Sequence, residues 1–107
     1  MTYELKPYFA QQNSFYGKAV VRYEYNCHGA LVYTLISYGT PVFEVTVDSG
    51  KHYVCRLWSS WSATTGRHVN EFSMQLLGRS LFKKDWDSLW CGYTYKMTDD
   101  CKRFIDI

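Results

Sequence analysis

The 107 residues carry 47% hydrophobic, 19% aromatic and 21% charged side chains, with 12 Lys+Arg against 10 Asp+Glu for a formal charge of +2. A chain of this length forms a single domain that buries roughly two-thirds of its unfolded surface, and so mild a charge does not by itself announce a nucleic-acid-binding domain. Apolar runs such as Ala30 to Tyr33 are far shorter than the roughly 20 residues of a membrane helix, and Met1 to Pro7 lacks the pattern of a secretory signal, so the expected setting is cytoplasmic.

Residues 1–17 mix Tyr3, Leu5, Tyr8, Phe9, Phe15 and Tyr16 with polar residues and Pro7, without a period of two or 3.6, and read as an irregular arm. Residues 18–58 read as an antiparallel meander. Ala19 to Tyr25 and Leu31 to Ser37 alternate and are rich in β-branched and aromatic residues. Asn26-Cys27-His28-Gly29 joins them at hairpin length, and Gly39-Thr40-Pro41 separates the second strand from a third, Val42 to Val47. Asp48-Ser49-Gly50 then turns into a fourth strand, Lys51 to Trp58. Connections this short cannot make parallel crossovers.

After Thr65 the period becomes helical. Val69, Phe72, Leu76 and Leu77 share a stripe that predicts a helix over 66–77, closed by Gly78 and lying on the sheet. A second short helix is expected over 81–90, with Phe82, Trp86 and Leu89 or Trp90 inward and Lys83, Lys84, Asp85 and Asp87 outward. In the tail, 93–107, Tyr93 to Lys96 would add a fifth strand at the sheet edge. The fold class is therefore α+β: a four-stranded antiparallel sheet, or five-stranded with that edge, packed against one main helix and a shorter one.

Trp58 to His68 is a hydroxyl-dense loop entering the main helix. Serine and threonine hydroxyls, free helix N–H groups and Arg67 together suit an anion, but Thr64 or Thr65 is needed to cap the helix and Arg67 can pair with a carboxylate. Likewise, His68 is either structural or a base beside a hydroxyl of the Ser59 to Thr65 loop. Cys27, His28, His52 and Cys55 lack metal-site spacing, and His52 and Cys55 would point to opposite faces of one strand. With no C-x-x-C pair, the four cysteines read as free thiols. Glu24 and Glu44, expected on neighbouring strands, read as surface charge. No phosphate loop, dinucleotide fingerprint or calcium loop occurs, so neither a cofactor nor a metal is expected.

Six Phe, ten Tyr and four Trp exceed what so small a core readily encloses, which points to aromatic surface kept for contact. The candidate partner-binding residues are Trp58, Trp61, Arg67, His68, Lys83, Lys84, Trp86, Trp90, Tyr93 and Tyr95, since interface hot spots favour Trp, Tyr and Arg. The alternative partner is nucleic acid, met by Arg56, Arg67, His68, Lys83 and Lys84. Asp85 and Asp87 cancel much of the field around the lysine pair.

Three segments carry a resemblance: Ser14-Phe15-Tyr16-Gly17-Lys18-Ala19, Leu35 to Val42 around Ser37-Tyr38-Gly39-Thr40-Pro41, and Trp58 to Phe72 around Ser62-Ala63-Thr64-Thr65-Gly66-Arg67-His68. Together with Lys83-Lys84-Asp85-Trp86 they resemble a family of short uncharacterised proteins of phages and mobile elements in Gram-positive, often gut, bacteria. The resemblance covers about residues 8–90, and Cys91 to Ile107 departs from the family's usual short ending. It transfers no catalytic residues and implies a setting, in which phage accessory proteins of this size often bind host machinery. By that analogy the expected function is a non-enzymatic inhibitor of a bacterial defence nuclease, an anti-CRISPR-like protein that blocks a CRISPR effector.

Overall fold

The computed structural model describes the backbone of residues 1–106 and the side chains of residues 1–105. Seven strands form one sheet in strict sequence order: β1 (Thr2–Glu4), β2 (Ala19–Tyr25), β3 (Leu31–Ser37), β4 (Thr40–Asp48), β5 (Lys51–Arg56), β6 (Thr94–Met97) and β7 (Phe104–Asp106). Every neighbouring pair is antiparallel. Helices α1 (Ala63–Leu77) and α2 (Lys83–Ser88) are inserted between β5 and β6.

The fold is thus α+β with one main helix, but the sheet described here has seven strands where four or five were expected. The two terminal strands account for most of the difference. Each has three residues, too few to show an alternating period, and β1 is defined only by its pairing of Thr2 with Arg22 and Glu4 with Val20. The arm is accordingly strand followed by loop, and its Leu5 and Phe15 belong to the core. The β6 strand, Thr94–Met97, is the expected edge strand, though β7 displaces it from the edge.

Alternation sorts the sheet into two faces. Ala19, Val21, Leu35, Phe43, Val45, Val54 and Met97 point to the helix side and are buried together with Val69 and Phe72 of α1. On the opposite face one ladder runs Arg22, Thr34, Glu44, Cys55, Thr94 from β2 to β6. Glu44 and Glu24 are therefore not on neighbouring strands, because β3 lies between theirs. Burial pushes the Glu44 carboxyl above its ordinary value, with Arg22 pulling the other way. His52 and Cys55 do occupy opposite faces, as their spacing required.

Helix α1 starts three residues before the expected 66. Its N-cap is Ser62, whose hydroxyl accepts from the Thr65 N–H at 3.1 Å, so neither Thr64 nor Thr65 is the cap. Gly66, which suggested a boundary, lies inside the first turn because its missing Cβ makes room for Trp61: a methyl there would sit 2.3 Å from Trp61 Cζ2. Gly78 ends the helix in left-handed conformation, as expected. The second helix is shorter than 81–90. It turns Trp86 inward, with Leu81 and Leu89 buried on either side, whereas Phe82 is exposed at its N-cap and Trp90 lies beyond its end.

Polar groups on α1 fasten the arm. The Glu71 carboxylate is buried, and its Oε1 accepts from the Phe9 and Ala10 N–H groups at 2.9 and 2.8 Å. Gln75 Nε2 donates to the Lys6 carbonyl at 2.7 Å. Among the described residues no buried side-chain polar atom lacks a partner, as burial of such groups requires.

Candidate functional site

The three resembling segments, far apart in sequence, meet at one end of the sheet. Phe15-Tyr16-Gly17-Lys18 is a tight turn closed by Lys18 N–H donating to the Phe15 carbonyl at 3.0 Å, with Tyr16 at φ 53° and Gly17 at φ 71°. Tyr38-Gly39 connects β3 to β4 with φ of 51° and 79°. Both have the type I′ signature of two successive left-handed residues. The turns are joined where Tyr38 N–H donates to the Lys18 carbonyl at 2.8 Å.

The third segment supplies what lies beneath. His68 of α1 is buried, with its ring 4.7 Å from Phe15 and 5.7 Å from Tyr38. Its Nδ1 lies 2.8 Å from Ser37 Oγ, which in turn lies 3.0 Å from Thr65 Oγ1. Burial lowers the imidazole pKa. A hydroxyl and an imidazole do meet here, but the hydroxyl comes from strand β3 and not from the 59–65 loop. At 2% exposure His68 serves the packing of Phe15 and Tyr38.

Tyr16 and Tyr38 are the residues that sequence reasoning passed over. The first position of a type I′ turn needs φ > 0, which suits Asn, Asp or Gly and costs other L-residues about 1–2 kcal/mol. Here both positions are tyrosine, and the residues are 83% and 55% exposed. The signal was available as Tyr-Gly standing twice where Asn-Gly is the usual hairpin sequence.

The candidate contact residues divide three ways. Trp86 and His68 are core: Trp86 packs 5.6 Å from Phe43 and 5.8 Å from Trp61, and its indole N–H donates to the Ser60 carbonyl at 2.8 Å. Trp58, Trp61 and Tyr95 are half-buried against that core. Arg67, Lys83, Lys84, Trp90 and Tyr93 are exposed. Trp90 and Tyr93 form an edge-to-face pair at 5.5 Å, and the Trp90 N–H donates to the Tyr95 phenol oxygen at 2.9 Å, so these three come together.

Two of the arginines are tied to carbonyls of their own chain, and Arg79, Lys84 and Lys102 line one surface depression. Arg56 donates to the carbonyls of Trp58, Trp86, Leu89 and Ser59 and lies 4.9 Å over the Trp86 ring, tying the 58–60 loop to the end of α2. Arg79 donates to the Ser80 and Lys102 carbonyls and pairs with Asp85 at 3.0 Å. Lys83 pairs with Asp87 at 2.7 Å, whereas Arg67 takes part in neither ion pair found among the described residues. Among those residues no group of three or more His, Cys, Asp and Glu is placed to hold a metal ion, and no helix is long and apolar enough to cross a membrane.

Residues 3–88 match the protein family described as a family of unknown function, DUF8033. No curated protein and no solved structure matches the chain.

Proposed function

The chain belongs to the DUF8033 family, whose model spans residues 3–88, and on that footing we propose that it is a non-catalytic binding protein that docks on a bacterial protein through its exposed aromatic residues. The observation that carries this reading is Tyr16. Its backbone conformation costs about 1–2 kcal/mol relative to glycine, and the residue, 83% exposed, recovers little of that by burial. Strain of this kind, kept at an exposed aromatic, fits a side chain used by a partner. Tyr38 beside it, and the Trp90–Tyr93 pair, are the amphipathic residue types that dominate interface energetics.

In its narrower form the proposal is the anti-CRISPR-like one: a phage or mobile-element product that inhibits a guide-loaded CRISPR effector. The resemblance of the three converging segments supports that setting. Burial of the Ser37–His68 pair supports the absence of hydrolytic chemistry. Nucleic acid is the weaker alternative, because Arg56 and Arg79 are committed to internal carbonyls and His68 is buried.

The test is target-plasmid cleavage by a panel of guide-loaded effectors from Gram-positive hosts, with and without stoichiometric protein. Wild-type protein should suppress at least one effector. The Tyr16→Asn/Tyr38→Asn double variant should keep or raise the melting temperature and lose the suppression. Undiminished suppression by the double variant would remove these tyrosines from the interface. A protein that spares every effector and binds only nucleic acid, with affinity collapsing as salt rises, would overturn the proposal in favour of the alternative.

A further inference from the structure

Past Gly78, where α1 ends, the chain crosses to α2 beside the loop that joins β6 to β7. These three segments enclose a depression of about 360 Å³ lined by Arg79, Ser80, Phe82, Lys84, Asp85 and Lys102. Arg79 fastens its walls together. Its Nε donates to the Ser80 carbonyl at 2.9 Å, Nη1 to the Lys102 carbonyl at 2.8 Å and Nη2 to Asp85 Oδ1 at 3.0 Å, and the guanidinium lies 4.7 Å over the Phe104 ring. Asp85 is equally engaged, because its second oxygen accepts from the Phe82 N–H at 2.9 Å. The depression is therefore cross-linked from three parts of the chain.

Charge narrows what it accepts. Arg79 and Asp85 offset each other, which leaves the ammonium groups of Lys84 and Lys102 uncompensated along the lining. Both lysines are exposed, and neither takes part in an ion pair found among the described residues, whereas Lys83 is paired with Asp87. Asp100 stands close to Lys102, but its Oδ1 accepts from the Thr98 hydroxyl and the Lys102 N–H within its own loop. Phe82, 54% exposed, adds an apolar wall. Two ammonium groups beside an exposed ring are complementary to carboxylates that flank an apolar side chain. A polynucleotide fits worse, because its backbone is tracked by a continuous cationic groove and Asp85 interrupts this one. A single phosphate also fits worse, since the guanidinium fork that would grip it is spent on Asp85 and two carbonyls.

We propose that this depression is a docking site for an acidic segment of a partner protein, with carboxylates on Lys84 and Lys102 and an adjoining apolar side chain on Phe82. Exposed ion pairs contribute little affinity each, so the site sets the orientation and charge preference of a partner. It lies past the C-terminal end of α1, whereas His68, under the Tyr38 turn, belongs to the first half of that helix. The site is thus separate from the Tyr16 and Tyr38 turns, and its test can fail without touching the reading above.

The probes are a capped Glu-Phe-Glu-Phe-Glu peptide, its Gln-for-Glu and Lys-for-Glu counterparts, and oligothymidylate. Each is titrated into the full chain while backbone amide resonances are followed by NMR. The Glu peptide should shift Phe82, Lys84 and Lys102 saturably, and the Gln peptide should bind at least about threefold more weakly. Lys84→Ala and Lys102→Ala should each weaken the Glu peptide roughly two- to fivefold, while Lys83→Ala and Tyr16→Asn should leave it unchanged. The Lys84→Glu/Lys102→Glu double variant should release the Glu peptide and bind the Lys peptide instead, a reversal that a damaged fold could not produce. Equal affinity for the Glu and Gln peptides, no exchange of peptides on charge reversal, tighter binding of oligothymidylate at these lysines, or no saturable shift would overturn the proposal.

Discussion

Replacing Gly66 with alanine sets two magnitudes of opposite sign against each other. In an exposed helix interior, Gly→Ala stabilises by about 0.8–1 kcal/mol. At Gly66 the new methyl would lie 2.3 Å from Trp61 Cζ2 and 2.8 Å from Cη2, far inside contact distance, and the obstacle is the rim of a rigid indole. Trp61 cannot retreat freely, because its other neighbour is Trp86, 5.8 Å away in the core. Overpacking of this kind costs about 1–3 kcal/mol, and displacing Trp61 would forfeit its aromatic pairing as well. The expected net result is destabilisation by about 1–2 kcal/mol, a fall in melting temperature of roughly 4–16 °C for a domain of this size. Thermal and urea unfolding of Gly66→Ala, Trp61→Ala and the double variant would measure it. In the Trp61→Ala background the alanine at 66 should become stabilising, giving a coupling energy above about 1 kcal/mol. A higher melting temperature for the single Gly66→Ala variant would refute the reasoning.

Further outcomes follow from the same structure. Arg56→Lys keeps the charge but loses the planar fork that reaches four carbonyls, and should cost about 2 kcal/mol in urea unfolding, a loss that added salt does not restore. Because burial lowers the His68 pKa, the unfolded chain binds that proton more readily than the folded one. Stability should therefore decline as pH falls below about 6.5, and His68→Gln should flatten that decline across a pH series of melting curves. Cys27 and Cys91 are exposed, whereas burial raises the thiol pKa of Cys55 and Cys101, so a thiol reagent should label two cysteines quickly and two slowly in the native protein. Mass spectrometry of the labelled peptides would identify which.

The parts of the fold legible in the sequence are those held by local rules. Two-residue alternation placed β2 and β3 to the residue, and a 3.6-residue stripe ending at Gly78 placed most of α1. What escaped was decided by partners distant in sequence. β1 exists because β2 offers it an edge, and Trp86 is core because Phe43 and Trp61 surround it. Arg56 looked like a surface cation, yet its acceptors lie as far as 33 residues away. A charged residue in sequence gives no sign of whether it will meet phosphate or the carbonyls of its own chain. Of the candidate contact set, Trp90, Tyr93, Arg67, Lys83 and Lys84 did reach the surface. Tyr16 and Tyr38 are not distinguished by aromatic content, because their exposure follows from the left-handed backbone of their turns.

Because each strand pairs with the one before it, most of the sheet can form by zipping successive hairpins, each closing a short loop at small entropic cost. The exceptions are the step from β1 to β2, across residues 5–18, and the step from β5 to β6, where Cys55 meets Thr94 only after both helices have been laid down between them. Early assembly then depends on how readily the β3–β4 connection closes, and that connection contains Tyr38 in a conformation an unfolded chain seldom visits. Tyr38→Asn should consequently speed refolding in a stopped-flow experiment. The side chain displayed at the tip of the folded molecule would thus also set the pace at which the sheet behind it is built.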